Sequence, residues 1–150
     1  MEIGDMIPQV LGHDADGNEI KAADFAGKKL VIYFYPKDNT PGCTAEACSL
    51  AAGYGDLEAA GYAVVGVSKD SAASHKKFAE KHSLPFPLIA DTELELNKAF
   101  GVWQLKKMCG RESMGTVRTT FIVDETGRIA DIITKVNTKD AANQILNLKK

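Results

Sequence analysis

Along the chain the apolar positions change their period several times, and each change marks an element. Residues 29–35 are an almost unbroken β-branched and aromatic run that stops at Pro36. That pattern predicts a strand buried on both faces of a parallel sheet. Beyond it Cys43, Ala47, Leu50, Tyr54 and Leu57 recur at spacings of 4, 3, 4 and 3, which predicts one long amphipathic helix over residues 41–60. Residues 62–68 predict a second strand, and residues 71–82 a second helix with the stripe Ala72, His75, Phe78, Ala79 and His82. Upstream, Asp14-Ala15-Asp16-Gly17-Asn18 gathers turn formers between apolar positions, so residues 10–20 read as a short hairpin.

The second half reads less regularly. Residues 86–90 predict a short third strand, and residues 92–100 a helix with Thr92 as N-cap and Glu95 in the capping-box position. Residues 101–115 show no clear period. Two further strands, residues 118–123 and 128–136, are joined by the hairpin signal Asp124-Glu125-Thr126-Gly127, and residues 138–148 close the chain as a helix. A βαβ half followed by a ββα half makes an α/β fold of thioredoxin-like arrangement: a mixed central sheet flanked by helices, here with an N-terminal β-hairpin extension. At 150 residues, with no linker or internal repeat, the expectation is one domain spanning 1–150.

Composition narrows the function classes. Eighteen Lys and Arg against 20 Asp and Glu leave a net charge of −2, without the basic excess that draws proteins to nucleic acid or anionic membranes. No apolar run approaches the ~20 residues of a membrane-spanning helix. The acidic start, Met1-Glu2-Ile3-Gly4-Asp5, is not followed by the apolar stretch of a secretory signal. The expectation is therefore a cytoplasmic protein with no nucleic-acid or membrane partner. Three cysteines, an odd number, fit a reducing compartment in which thiols serve redox chemistry more often than structure.

The cysteines direct attention to Pro36-Lys37-Asp38-Asn39-Thr40-Pro41-Gly42-Cys43-Thr44-Ala45-Glu46-Ala47-Cys48, where the first buried strand hands over to the first long helix. Sites in α/β sheets gather at such strand ends. With Thr40 as N-cap and Pro41 as first helical residue, Cys43 falls in the first turn, where free backbone N–H groups and the helix dipole favour an anion. A thiol at a helix N-terminus can have its pKa lowered below the free value of about 8.5, and the thiolate is the nucleophile. Cys43 is thus a candidate attacking group. In a regular helix the Cα atoms of Cys43 and Cys48 stand about 8.6 Å apart, whereas disulfides rarely form beyond ~7 Å. Any bond between them requires local unwinding, which the glycines at 42, 53 and 55 would ease.

Pro36, Thr40 and Cys43 spell P-x-x-x-T-x-x-C, which resembles the active-site signature of peroxiredoxins. The fuller string from Tyr33 to Thr44 is similar to the bacterioferritin-comigratory-protein, or Q-type, branch, and Cys48 matches that branch's resolving position. The run Gly115-Thr116-Val117-Arg118-Thr119-Thr120-Phe121-Ile122-Val123-Asp124 resembles the family's arginine-bearing strand. The resemblance covers almost the whole chain. It implies a thiol peroxidase for hydrogen peroxide and organic hydroperoxides, acting through a Cys43 sulfenic acid that Cys48 resolves as an intramolecular disulfide. Thioredoxin or a similar dithiol would recycle it, in the service of antioxidant defence. It further implies that Thr40 orients peroxide, Arg118 stabilises charge and Pro36 shields the pocket, in a monomer that needs no metal or organic cofactor.

Other features carry less. Glu46 is read equally well as a support for Arg118 or as an exposed first-turn carboxylate serving the dipole. Cys109 departs from the branch pattern and is expected to be a surface or packing thiol. His75 and His82 stand about 10.5 Å apart along their helix, too far to grip one metal ion together, and are expected to be packing residues. Trp103, Lys106, Lys107 and Arg111 lie before Arg118, where they could border the pocket, with a solvated basic loop as the default expectation. Two rival functions remain open on this fold. A general disulfide oxidoreductase would use Cys-x-x-Cys spacing, and a redox-controlled holdase would keep its client protection after loss of peroxidase activity.

Overall fold

Asp14 closes the first hairpin, between β1 (Val10–His13) and β2 (Glu19–Lys21). Its Oδ1 accepts from the backbone N–H groups of Asp16 and Asn18, both at 2.9 Å, the local bonding that suits Asp to turns. There follow β3 (Lys29–Phe34), α1 (Pro41–Ala52), α2 (Tyr54–Ala59), β4 (Tyr62–Ser68), α3 (Ala72–His82), β5 (Leu88–Ala90), α4 (Glu95–Ala99), β6 (Trp103–Met108), β7 (Arg111–Thr116), β8 (Thr119–Val123), β9 (Ile129–Ile133) and α5 (Ala141–Leu146). The computed structural model describes residues 1–108 and 110–148. The expectation for Cys109 lies outside the described residues.

Five strands form the central sheet in the order β5-β4-β3-β8-β9. β4 runs parallel to β3 and to β5, while β8 is antiparallel to both β3 and β9. This is the expected mixed sheet. β3 sits at its centre because it is apolar on both sides. Val31, Tyr33 and Tyr35 face one cluster with Cys43, Ala47, Leu50, Leu57 and Phe78. Leu30, Ile32 and Phe34 face another with Ile89, Leu96, Phe100 and Phe121. The strand's period of two sorts alternate residues between the two helical layers. α1, α3 and α5 therefore share one side, and α4 lies on the other with Ile7 and Leu11 from the N-terminal segment.

Four expectations need correction. Residues 41–60 are two helices, broken at Gly53. α5 packs so closely there that a Cβ on Gly53 would overlap the Cβ of Ala142. Thr92 is not an N-cap. Asp91 takes the free N–H groups of Leu96 and Asn97 at 3.0 and 2.8 Å, and Leu94 adopts φ +62° ahead of a helix that begins only at Glu95. Residues 103–116, which show no usable period, form the β6–β7 hairpin. Most of that hairpin is exposed or half-buried, so no buried face imposes an alternation on its sequence. The last strand stops at Ile133 and α5 starts at Ala141. Between them Ser49 Oγ donates to the Thr138 carbonyl at 2.9 Å and accepts from the Ala141 N–H at 3.1 Å.

Candidate active site

The loop between β3 and α1 builds the site. Tyr35 extends the strand ladder, its N–H donating to the Val67 carbonyl at 3.1 Å, and Pro36 then ends donation to the sheet. Asn39 takes φ +62°, a left-handed turn that Asn tolerates well. Thr40 has extended backbone (φ −84°, ψ 151°) and Pro41 opens the helix. Thr40 therefore holds the N-cap position, but its hydroxyl does not cap: Oγ1 donates back to the Lys37 carbonyl at 2.9 Å. Cys43 lies in the first helical turn, 1% exposed, with its side chain in the apolar layer under α1.

Arg118 reaches Cys43 from the residue immediately before β8. Its Nη2 donates to Cys43 Sγ at 3.1 Å and its Nη1 to Glu46 Oε1 at 2.6 Å. Gly42 makes room, since a Cβ there would stand 3.3 Å from Nη2. Burial opposes the charge on Arg118, but Glu46 and Cys43 outweigh it and hold the guanidinium even more firmly protonated than usual. A thiolate at Cys43 thus meets both a fixed cation and the positive end of a helix.

Glu46 is not the exposed first-turn carboxylate of one reading. It is fully buried, and burial pushes its carboxyl up to about 7 while Arg118 pulls the other way. Its Oε2 has no hydrogen-bond partner among the described residues, and neither does the buried Tyr33 hydroxyl. Tyr33 is held well above the ordinary phenol range by burial first, then by Glu46, Asp38 and Cys43. The β6–β7 hairpin adds Lys106, whose Nζ donates to the Thr116 carbonyl at 2.7 Å. Burial and Arg118 lower its pKa, and Cys43 raises it. Lys106 accordingly borders the site rather than a freely solvated loop.

Cys48 is not brought to Cys43. The helix carrying both is wound, and both are free thiols. Cys48 Sγ instead lies 3.6 Å from His82 Nδ1, at the C-terminal turn of α3. His75 exceeds its role as a packing residue. Buried at 0% exposure, it contacts Asp38 Oδ2 through Nδ1 at 2.8 Å and the Ile89 carbonyl through Nε2 at 2.9 Å. That link, and the burial of Glu46, escape sequence reasoning because their partners stand 37 and 72 positions away.

The same chain pattern recurs in known proteins. Residues 3–132 match the AhpC/TSA family. "Peroxiredoxin Bcp" of Bacillus subtilis is 43% identical over 150 residues, covering 100% of this chain and 96% of that protein. "Peroxiredoxin Bcp" of Escherichia coli K12 is 35% identical over 147 residues, covering 98% and 94%. Among solved structures, a cysteine-to-serine mutant of Xylella fastidiosa PrxQ is similar with a TM-score of 0.89 at 35% identity, covering 98% of this chain and 94% of that one. Xanthomonas campestris Peroxiredoxin Q is similar with a TM-score of 0.83 at 37% identity, covering 89% and 85%.

Proposed function

Since the chain belongs to the AhpC/TSA family and is a peroxiredoxin, a thiol peroxidase, we propose that Cys43 is the group that peroxide oxidises and Cys48 the group that resolves it. The observation that carries this reading is the Arg118 Nη2 contact with Cys43 Sγ at 3.1 Å, made at the first turn of α1. The Cys43 thiolate attacks the terminal oxygen of a hydroperoxide, the O–O bond breaks, and the departing oxygen takes a proton and leaves as water or an alcohol. Cys43 is left as a sulfenic acid, oxidised by two electrons. Arg118 stabilises the thiolate and the charge that moves onto the departing oxygen. Thr40, whose hydroxyl proton goes to the Lys37 carbonyl, orients the peroxide by accepting its O–H, the Cys43 backbone N–H adds a donor, and Pro36 walls the loop side.

Resolution follows from the spacing. α1 unwinds, the Cys48 sulfur attacks the sulfenic sulfur, an S–S bond forms, and the hydroxyl leaves as water with the Cys48 proton. A dithiol protein of the thioredoxin class then reduces the disulfide by exchange and is itself oxidised. The reading covers hydrogen peroxide and small organic hydroperoxides, with no metal or organic cofactor. It places the cycle in the reducing cytoplasm, as antioxidant defence. It takes residues 1–150 as a single domain and, by resemblance to the Q-type branch, the protein as a monomer.

Counting free thiols by alkylation and intact mass, within seconds of adding one equivalent of hydrogen peroxide to reduced protein, tests the proposal. Loss of two thiols, with peptide mapping of a Cys43–Cys48 bridge, is expected. Persistence of all three would end the reading and move the disulfide oxidoreductase or holdase forward.

A further inference from the structure

Behind the catalytic loop, Asp38 and His75 form a fully enclosed pair, with side chains 1% and 0% exposed. Each polar atom of the pair has a partner in the protein. The Ile89 carbonyl can only accept, so His75 Nε2, 2.9 Å away, carries a proton. Nδ1 lies 2.8 Å from Asp38 Oδ2. That carboxylate also accepts from Ser74 Oγ at 2.8 Å and, on Oδ1, from the Tyr35 hydroxyl at 2.6 Å. Although burial opposes it, bonding to His75, Tyr35 and Ser74 holds Asp38 below the usual carboxylate range. One hydrogen bond therefore joins Nδ1 to the Asp38 carboxyl, and both ring nitrogens are engaged.

The backbone of Asp38 is tied too. Its N–H donates to Asp70 Oδ2 at 2.8 Å, and Ser68 Oγ donates to the same oxygen at 2.7 Å. Asp38 is therefore fixed to β3, to the end of β4 and to α3 at once. On either side of it stand Pro36 and Thr40, and the intervening turn is closed by the Thr40 hydroxyl on the Lys37 carbonyl, with Asn39 left-handed between them. The ligand atoms of Asp38, Asp70 and His75 lie within 4.8 Å of one another. Both ring nitrogens and both Asp38 oxygens are already engaged by protein groups, so the cluster is organised as a clamp.

We propose that the Asp38–His75 pair is a positioning device for the peroxide site: anchored on α3, it fixes the turn that carries Thr40 and Pro36 in register with Cys43. The proposal rests on the reading of Cys43 and Thr40 given above. Neither member of the pair touches the sulfur. Removing one partner leaves a buried hydrogen-bonding group of the other unpaired, which the structure relieves by moving the loop. Small displacements of orienting groups are expensive in rate, about 10²-fold for an ångström.

His75→Leu, in a Cys48→Ser background that halts the cycle at the sulfenic acid, gives the test. Two rates are measured below the unfolding transition: oxidation of Cys43 by hydrogen peroxide in stopped flow, and alkylation of Cys43 by iodoacetamide. Expected is a fall of about tenfold or more in the peroxide rate, with alkylation within about twofold, since the thiolate keeps Arg118 and the helix terminus. Asp38→Asn, nearly isosteric, provides a second variant should His75→Leu not fold, and is expected to move the same rate in the same direction. An unchanged peroxide rate, or parallel losses of both rates, would overturn the positioning role. Cys43→Ser in the same assay separates the two readings: if it still consumes peroxide, the assignment of Cys43 fails, independently of the pair.

Discussion

Arg118 holds Cys43 and Glu46 with the two ends of one guanidinium, at 3.1 Å to the sulfur and 2.6 Å to the carboxylate. The planar fork of Arg reaches both acceptors at once, whereas an ammonium offers a single point of charge. Arg118→Met is expected to slow peroxide reduction by roughly 10²–10³-fold, the range seen when one preorganised donor to developing charge is removed. Arg118→Lys is expected to recover only a small part. Steady-state kcat/KM for hydrogen peroxide, with reductant in excess, reads both variants.

Glu46 sets a pH dependence of stability. Burial raises its carboxyl from 4.5 to about 7, so the folded chain binds this proton more tightly than the unfolded chain. That contribution is fully present below about pH 4.5 and is lost as pH rises through about 7. Glu46→Gln removes the titration and keeps an acceptor for Arg118. Relative to the variant, the parent protein is expected to lose roughly 3 kcal/mol between about pH 4.5 and pH 8. At this chain length that corresponds to about 2–4 °C of Tm per kcal/mol, readable in paired melts. Identical pH profiles for the two proteins would refute the assignment.

His82 contacts Cys48 at 3.6 Å with α1 wound, and unwinding α1 is expected to break that contact. A contact made in one of two states biases the equilibrium toward that state by its own free energy. Replacing His82 with Ala is expected to favour the unwound form and speed disulfide formation by about fivefold, equivalent to about 1 kcal/mol. The rate of Cys43 oxidation should be unchanged. Stopped-flow separation of the two phases checks both statements, and slower disulfide formation would contradict the first.

Gly53 marks where α5 presses on the junction of α1 and α2. A Cβ there would overlap Ala142, so Gly53→Ala is expected to destabilise the fold by about 1–3 kcal/mol despite the better helix propensity of Ala. Urea unfolding with an unchanged m-value would show the loss to be one of native packing.

Whatever rests on near neighbours along the chain is legible in the sequence. The apolar run before Pro36 makes a strand buried on both faces. Thr40 and Pro41 start a helix that puts Cys43 in its first turn. The five-residue spacing places Cys48 out of reach of Cys43 in a wound helix. These follow from periods and caps, which a local stretch of residues expresses alone. The remainder depends on partners that only folding supplies. The helix that the stripe predicts over residues 41–60 is broken at Gly53, where Ala142 from the other end of the chain leaves no room for a Cβ. Thr92 loses its capping role to Asp91, which has the better approach to the same N–H groups. The β6–β7 hairpin left no period because little of it is buried. Glu46 reads equally as a support for Arg118 or as an exposed carboxylate, and only folding decides for the first by burying it against Arg118, while Asp38 and His75 read as a loop acid and a helix histidine until folding closes the 37 positions between them. Burial and charge pairing between distant residues exist only once the chain is folded, and in this protein they are what turn a cysteine at a helix terminus into an organised site.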